Sequence, residues 1–331
     1  MNVSEKPRVA LVLGDPNGIG PELAAKLVAE QETSKRARLV IVADKQVLDE
    51  GMRVAGVHFD YKTANDGSAD LFTDDTPVLL TRPVYEGDAG GKGQVSKIAG
   101  KYQLDCLTKG IHLCLQGVVD CLCFAPLNKE AMHLAGLKHE DESGLFLDLL
   151  DHKGDFGLLN TLGNLWTSRA TSHVSHRQVS ELLNEESILT AARVLDKALR
   201  ASGNDDPQIA VAGLNPHAGD GGMFGTEEID IIEPAVRKAQ QEGINVSGPF
   251  PPDTIFLMGR DGKYDAVVTM YHDQGQIAMK LMGFDHGVTV HAGLDYPVTT
   301  SAHGSAYDIA GQGIANVRAL REAFLLACSM S

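Results

Sequence analysis

The chain has 331 residues, of which 43% are hydrophobic, and its 29 basic against 44 acidic side chains leave a formal charge of -15. That charge argues against a nucleic-acid partner, whose phosphates would be repelled, and no apolar tract is long enough to span a bilayer. The length suits two domains with buried cores, and any anionic substrate would need local positive groups.

In chain order, "MNVSEKPRVALVLGDPNG" runs into a Gly-Asp-Pro turn without a cleavage-type segment, so it reads as a first strand and not as a secretion signal. In "GDPNGIGPE", residues 14 to 22, three glycines allow close backbone approach, and Pro21 with Glu22 opens a helix. The spacing is not G-x-G-x-x-G, so it carries no Rossmann fingerprint. A strand "RLVIVAD", an amphipathic helix "YQLDCLTKGIHLCLQG" and a strand "VVDCLCFAP" follow. Cys106, Cys114, Cys121, Cys123 and Cys328 form an odd set without disulfide spacing, which reads as reduced thiols of a cytosolic protein. Asn128 and Lys129 then stand between a strand end and a helix, and Glu140, Asp141 and Glu142 run into Ser143 and Gly144; by default such a charge run is a solvated face. "FGLLNTLGNLWTSRATSHV" predicts a hairpin turning at Gly163-Asn164. Helical "SILTAARVLDKALRAS" and "TEEIDIIEPAVRKAQQEG" then alternate with the strands "QIAVAGL", "DAVVTMY" and "GVTVHAG". This alternation predicts an α/β fold with a largely parallel sheet. No repeat or low-complexity linker marks a domain boundary.

Three histidines, His173, His217 and His272, each follow a strand-like run, and the carboxyl end of a parallel strand is where α/β proteins bind ligands. Imidazoles suit Zn, Co, Ni or Fe better than Mg. Among twelve histidines such spacing also arises by coincidence, and His176 is an alternative ligand. In "HGSAYDIAGQGIAN", residues 303 to 316, small residues and glycines would let a loop wrap a flat ligand, with His303 stacked on an adenine; the alternative is a plain connection into the last helix.

"GDPNGIGPE", "APLNKEA", "LNPHAGDGGMFGTEEI", "GPFPPDTIF" and "MYHDQG", in this order, resemble the 4-hydroxythreonine-4-phosphate dehydrogenase family over almost the whole chain. The glycine turn and the 303–316 loop are similar to loops of isopropylmalate and isocitrate dehydrogenases. The resemblance implies an α/β/α two-domain isocitrate/isopropylmalate dehydrogenase-like fold with a cleft between domains. Residues 1–125 plus 285–331 would bind the nucleotide, and 126–284 would carry metal, substrate and dimerisation. It further implies a cytoplasmic homodimer with its active site at the dimer interface, and a divalent metal (Zn, Co, Ni, Fe or Mg) on His173, His217 and His272. NAD would be held by His303, Gly304, Asp308, Gly311 and Asn316, where Asp308 would accept from a ribose 2'-hydroxyl and repel a 2'-phosphate. Lys280 matches a substrate-binding lysine and, with Lys129 and Asp273, is a candidate acid or base; Asp253 of "GPFPPDTIF" is a further substrate-binding candidate. The implied reaction oxidises a secondary alcohol of a small hydroxy acid, with decarboxylation where a carboxylate lies β to the new ketone.

The chain also departs from that pattern. Glu142 and Ser143 stand where the family has His-Thr, and Thr289 and Val298 where it has Asn and Arg, with Asp141 a further carboxylate nearby. The alternatives are therefore a dehydrogenase of an unphosphorylated hydroxy acid or carboxylated cis-dihydrodiol, of the terephthalate dihydrodiol dehydrogenase type, and a non-catalytic metal- or nucleotide-binding relative.

Overall fold

A computed structural model describes residues 6–65, 71–81, 91–283 and 285–331; the first five residues of the N-terminal stretch lie outside them. The chain divides into two compact units, Met1–Lys153 with Leu294–Ser329 and Ser331, and Gly154–Gly293 with Met330. No described helix is long and apolar enough to cross a membrane.

The first unit begins with β1 (Arg8–Val12), α1 (Gly20–Ala29), α2 (Gln31–Arg36), β2 (Arg38–Val42), α3 (Lys45–Ala55), β3 (Lys62–Ala64) and β4 (Val78–Leu80). It continues through α4 (Lys97–Leu115), β5 (Cys121–Phe124), α5 (Lys129–Leu134) and α6 (Glu142–Leu149). Polar side chains start the helices: Asp44 accepts from the Gln46 N–H ahead of α3, Ser96 from Ala99 ahead of α4, and Asn128 from Ala131 ahead of α5.

The second unit holds β6 (Gly157–Leu162), β7 (Leu165–Arg169), α7 (His176–Leu182), α8 (Glu185–Ala201) and β8 (Ile209–Ala212). Then come a π-type turn at Glu228–Ile232, α9 (Glu233–Gln241), β9 (Val246–Phe250), α10 (Ile255–Arg260), β10 (Ala266–Thr269), α11 (His272–Met282) and β11 (Val288–Ala292). The chain returns to the first unit with β12 (Val298–Ser301) and α12 (Arg318–Ser329).

Within the first unit the strand order is β3-β4-β2-β1-β5-β12, with every described pairing parallel. β1, β5 and β12 are buried almost throughout, because helices cover both faces of such a sheet. Phe124 of β5 meets Phe146 of α6 edge-on at 6.0 Å, and both are buried. Within the second unit the order is β11-β6-β7-β10-β8-β9. β6 pairs antiparallel with β11 and with β7, and β7, β10, β8 and β9 run parallel. The expected hairpin is therefore present, with Leu162 opposite Leu165. Leu165, Ile255, Phe256, Val267 and Met279 fill the core beneath it.

Candidate functional site

β7, β10 and β8 are adjacent and parallel, so their carboxyl ends open on one edge of the second unit. All three predicted metal ligands leave from that edge. His173 follows β7, His272 follows β10 as the first residue of α11, and His217 lies on the loop after β8. The rings of His173 and His272 stand 5.3 Å apart, close enough to face one small ion. Asp273 accepts from His272 Nδ1 at 2.7 Å, a bond that leaves Nε2 as the lone-pair nitrogen of the neutral ring. This hydrogen bond holds the Asp273 carboxyl below the usual aspartate range. His217 lies on left-handed backbone, with its ring 6.1 Å from that of Phe224. Among the described residues no group of three His, Cys, Asp or Glu side chains stands close enough to hold a metal. One chain thus brings two imidazoles together and presents the third apart from them. Two neutral nitrogen donors fit a borderline divalent ion and leave room for more ligands. His176 packs its ring against Tyr271 at 5.2 Å instead of joining the pair.

A polar network lies beside these histidines. Asn160 on β6 donates through Nδ2 to Thr289 Oγ1 at 3.0 Å, and its Oδ1 accepts from Arg169 Nη1 at 3.1 Å and from the Gln276 side chain. Arg169 also donates to Ser172 at 3.0 Å, next to His173, while Gln276 sits one turn along α11 from His272. Thr289 therefore stands beside an amide and a guanidinium contributed by β6 and β7. Sequence reasoning missed Asn160, Arg169 and Gln276. The available signal was the arginine of "SRATSH", just ahead of a candidate ligand. Lys280 is exposed on α11, and Asp253 is exposed between β9 and α10. Gln274 ties two of the histidine loops together: its side-chain oxygen accepts from Met270 N at 2.7 Å, and its Nε2 donates to Gly213 O at 2.8 Å.

In the first unit the carboxyl edge belongs to β1, β5 and β12. There the glycine turn and the 303–316 loop, separate features in the sequence, form one clasp. Asp15 N donates to Pro126 O at 2.9 Å and Ile19 N to Ser305 O at 3.0 Å. The fully buried Asp15 carboxylate accepts the Tyr307 hydroxyl at 2.5 Å and the Asn17 N–H at 3.0 Å. Burial nevertheless pushes its carboxyl above the usual aspartate range. Lys92 donates to Pro16 O at 2.8 Å, and burial lowers its ammonium from the usual lysine value. Lys26 donates to Gly313 O at 3.0 Å and Ala315 O at 2.8 Å while paired with Glu22 at 2.7 Å. Two cations therefore tie into this clasp, Lys92 at the glycine turn and Lys26 at the 303–316 loop. Of the expected NAD contacts, Gly304, Asp308, Gly311 and Asn316 are exposed and His303 is half-buried. Asn316 accepts the Arg318 N–H at 3.0 Å ahead of α12.

The acidic run differs from the solvated face expected of it. Asp141 and Glu142 are 8% exposed and Ser143 6%. The reason is local: Asp141 caps α6 by accepting from Ser143 N at 2.9 Å, and it pairs with Lys129 at 3.4 Å. Burial, together with the charge of Asp141, pushes the Glu142 carboxyl upward. Val298 is fully buried in β12, opposite Leu122, and offers only methyl groups.

A family model described as pyridoxal phosphate biosynthetic protein PdxA matches residues 35–327. A protein of Pseudomonas aeruginosa named "Putative 4-hydroxythreonine-4-phosphate dehydrogenase 2" is 49% identical over 332 residues, spanning 100% of this chain and 98% of its own. The crystal structure of 4-hydroxythreonine-4-phosphate dehydrogenase from Klebsiella pneumoniae is 36% identical with a TM-score of 0.86, covering 99% of each chain. That of a terephthalate 1,2-cis-dihydrodiol dehydrogenase from Burkholderia xenovorans is 29% identical with a TM-score of 0.69, covering 98% of each.

Proposed function

The chain belongs to the pyridoxal phosphate biosynthetic protein PdxA family and is a dehydrogenase acting on a CH–OH group, and on that premise we propose that it oxidises the secondary alcohol of a small anionic hydroxy acid with NAD and a divalent metal. The observation that carries this reading is the His173–His272 pair, at the carboxyl ends of adjacent strands and oriented by Asp273. His217 completes the set from a second copy of the chain, which makes the active unit a homodimer. Exposed apolar side chains around both halves of the ligand set favour such pairing: Met223, Phe224 and Ile229 near His217, and Ile277 and Leu281 along the His272 helix. The five free thiols suit a cytoplasmic enzyme.

His173, His272 and His217 would hold the divalent ion, whose contribution there would be Lewis acidity towards the substrate oxygens, for alcohol oxidation and equally for decarboxylation of a β-keto acid. The residues of the chain do the rest. Asp273 keeps its proton partner at His272 Nδ1 and, with its carboxyl lowered, is an orienting group and a weak base. Lys280 lies eight residues beyond His272, about 12 Å along the helix axis, with an arm that leans back towards the helix start. On this reading Lys280 is the cation for the charged end of a substrate gripped at the histidines. Asn160 and Arg169 orient a carboxylate or phosphate in the same unit. Lys129, paired with Asp141, is the less suited proton acceptor. In the first unit the clasp around Asp15 and Tyr307 presents the 303–316 loop to NAD, where Asp308 disfavours NADP.

Glu142 and Val298 offer a phosphate no cation, and Lys129, the cation beside them, is already paired with Asp141, so the preferred substrate is an unphosphorylated hydroxy acid. A phosphorylated hydroxy acid, as in the names of the relatives, is the second reading, favoured by Arg169. NADH release from a panel of hydroxy acids and their phosphate esters separates the two. Turnover should stop with a chelator and return with a divalent ion, should fall at least 100-fold in His272→Ala, and should be much slower with NADP. Full activity in metal-free enzyme would overturn the metal reading. Efficient use of 4-hydroxythreonine 4-phosphate, with poor use of unphosphorylated acids, would establish the second.

A further inference from the structure

The loop after β8 is held in a conformation that its own residues disfavour. His217, Ala218, Gly219, Asp220 and Gly221 take φ values of 54, 55, 78, 44 and 65°, and three of the five are not glycine. Left-handed backbone is sterically disfavoured for any residue with a Cβ, so a partner has to hold the turn in place. That partner is Glu228, buried at 2% exposure. Its Oε1 accepts the backbone N–H of Leu214 at 2.7 Å and of Asn215 at 2.8 Å, and its Oε2 accepts Asn215 Nδ2 at 2.9 Å. The carboxylate lies inside the bend: a Cβ on Gly219, itself at φ 78°, would stand 2.7 Å from Oε2 and push it aside. Glu227 accepts from the same Asn215 amide at 2.7 Å. A carboxylate taking two backbone N–H groups and an amide makes charge-assisted bonds, and its removal takes the acceptor from two part-buried backbone N–H groups, of Leu214 and Asn215.

We propose that Glu228 is a positioning residue: its carboxylate templates the left-handed turn at 217–221 and so sets where the His217 imidazole is offered to a divalent ion. The proposal rests on the reading of His217 as a ligand. Gln274, bridging Gly213 to the first turn of α11, links the same loop to the His272 side.

The test uses Co2+ alone as probe on the full-length wild type and on His217→Ala, Glu228→Ala and Glu228→Gln. Glu228→Gln keeps the size and one acceptor oxygen, so it guards against an alanine variant that fails to fold. Glu228→Ala should bind Co2+ about 10- to 100-fold more weakly, the range for groups that orient a ligand, and Glu228→Gln should fall between it and wild type. Added imidazole should restore binding in His217→Ala and in Glu228→Ala, since in both a ligand position is open; a general loss of fold would not respond. Backbone hydrogen exchange across 213–222 in the metal-free variants should quicken. Wild-type Co2+ affinity in both Glu228 variants, with His217→Ala impaired, would overturn the positioning role. Unchanged affinity in His217→Ala would instead overturn the ligand reading, and exchange at 213–222 as slow as in wild type would overturn the templating itself.

Discussion

Asp120 takes three hydrogen bonds from one residue: the Arg8 backbone N–H at 2.7 Å, Nε at 3.1 Å and Nη2 at 2.5 Å. Burial alone would raise its carboxyl, but these bonds outweigh it and bring it below the usual value of 3.8. A lowered folded-state value means stabilisation that is complete above the ordinary aspartate range and lost as pH falls through the depressed one. The pair is about a third exposed, so Asp120→Asn should cost about 1 kcal/mol or less at neutral pH. Urea midpoints should differ there and converge in acid; an equal gap at both would show that the ion pair is not the cause. At this scale the sequence was legible where partners are neighbours in the chain, as with His272 and Asp273, whose side chains hydrogen-bond. The contacts of Asn160, Arg169 and Glu228 were not, because they come from strand register and from a loop folding back onto a remote carboxylate. The acidic run misled for a related reason, since a cap buries the Asp141 carboxylate that charge alone would leave in water.

The elements that read clearly were the continuous apolar strands β1, β2, β5, β8, β10 and β11 and the hairpin of β6 and β7. β3, β9 and β12 did not stand out: "KTA" is partly exposed, "VSGPF" contains a proline, and "VTTS" is threonine-rich although fully buried. "TEEIDIIEPAVRKAQQEG" has helical periodicity, yet it divides into the π-type turn and α9 just before Pro234. Helix packing is set by absent side chains, which no periodicity reveals. A Cβ on Gly100 of α4 would lie 1.8 Å from the Ala131 carbonyl oxygen in α5, whereas one on Gly110 would meet side-chain methyl groups, of Leu122 at 2.8 Å and Val12 at 3.4 Å. Alanine gains about 1 kcal/mol of helix propensity at either site. Backbone cannot yield as a side chain can, so Gly100→Ala should lose about 1–3 kcal/mol net while Gly110→Ala stays near neutral. Thermal midpoints of the two variants decide it, and equal midpoints would refute the packing argument.

At the scale of the molecule, the two units join at 153–154 and 293–294, within "DHKGDFG" and "HAGLDYP", where composition does not change. Boundaries of that kind leave no trace in a sequence, although the α/β class does. All five cysteines fall in the first unit. Burial pushes Cys114, Cys123 and Cys328 up to about 12, and Cys106 and Cys121 also well above the ordinary thiol value. The thiolate is the reactive form, so the native protein should resist iodoacetamide at neutral pH and take up five equivalents once unfolded; rapid modification of the native chain would contradict this burial. The sole tryptophan, Trp166, lies instead in β7 of the second unit at 4% exposure. The chain therefore carries an optical reporter in one half and a chemical reporter in the other. A single denaturant series followed by indole emission and by alkylation gives each half its own melting curve, and Gly100→Ala, which perturbs only the thiol-bearing half directly, turns any accompanying shift in emission into a label-free measure of how cooperatively the halves unfold.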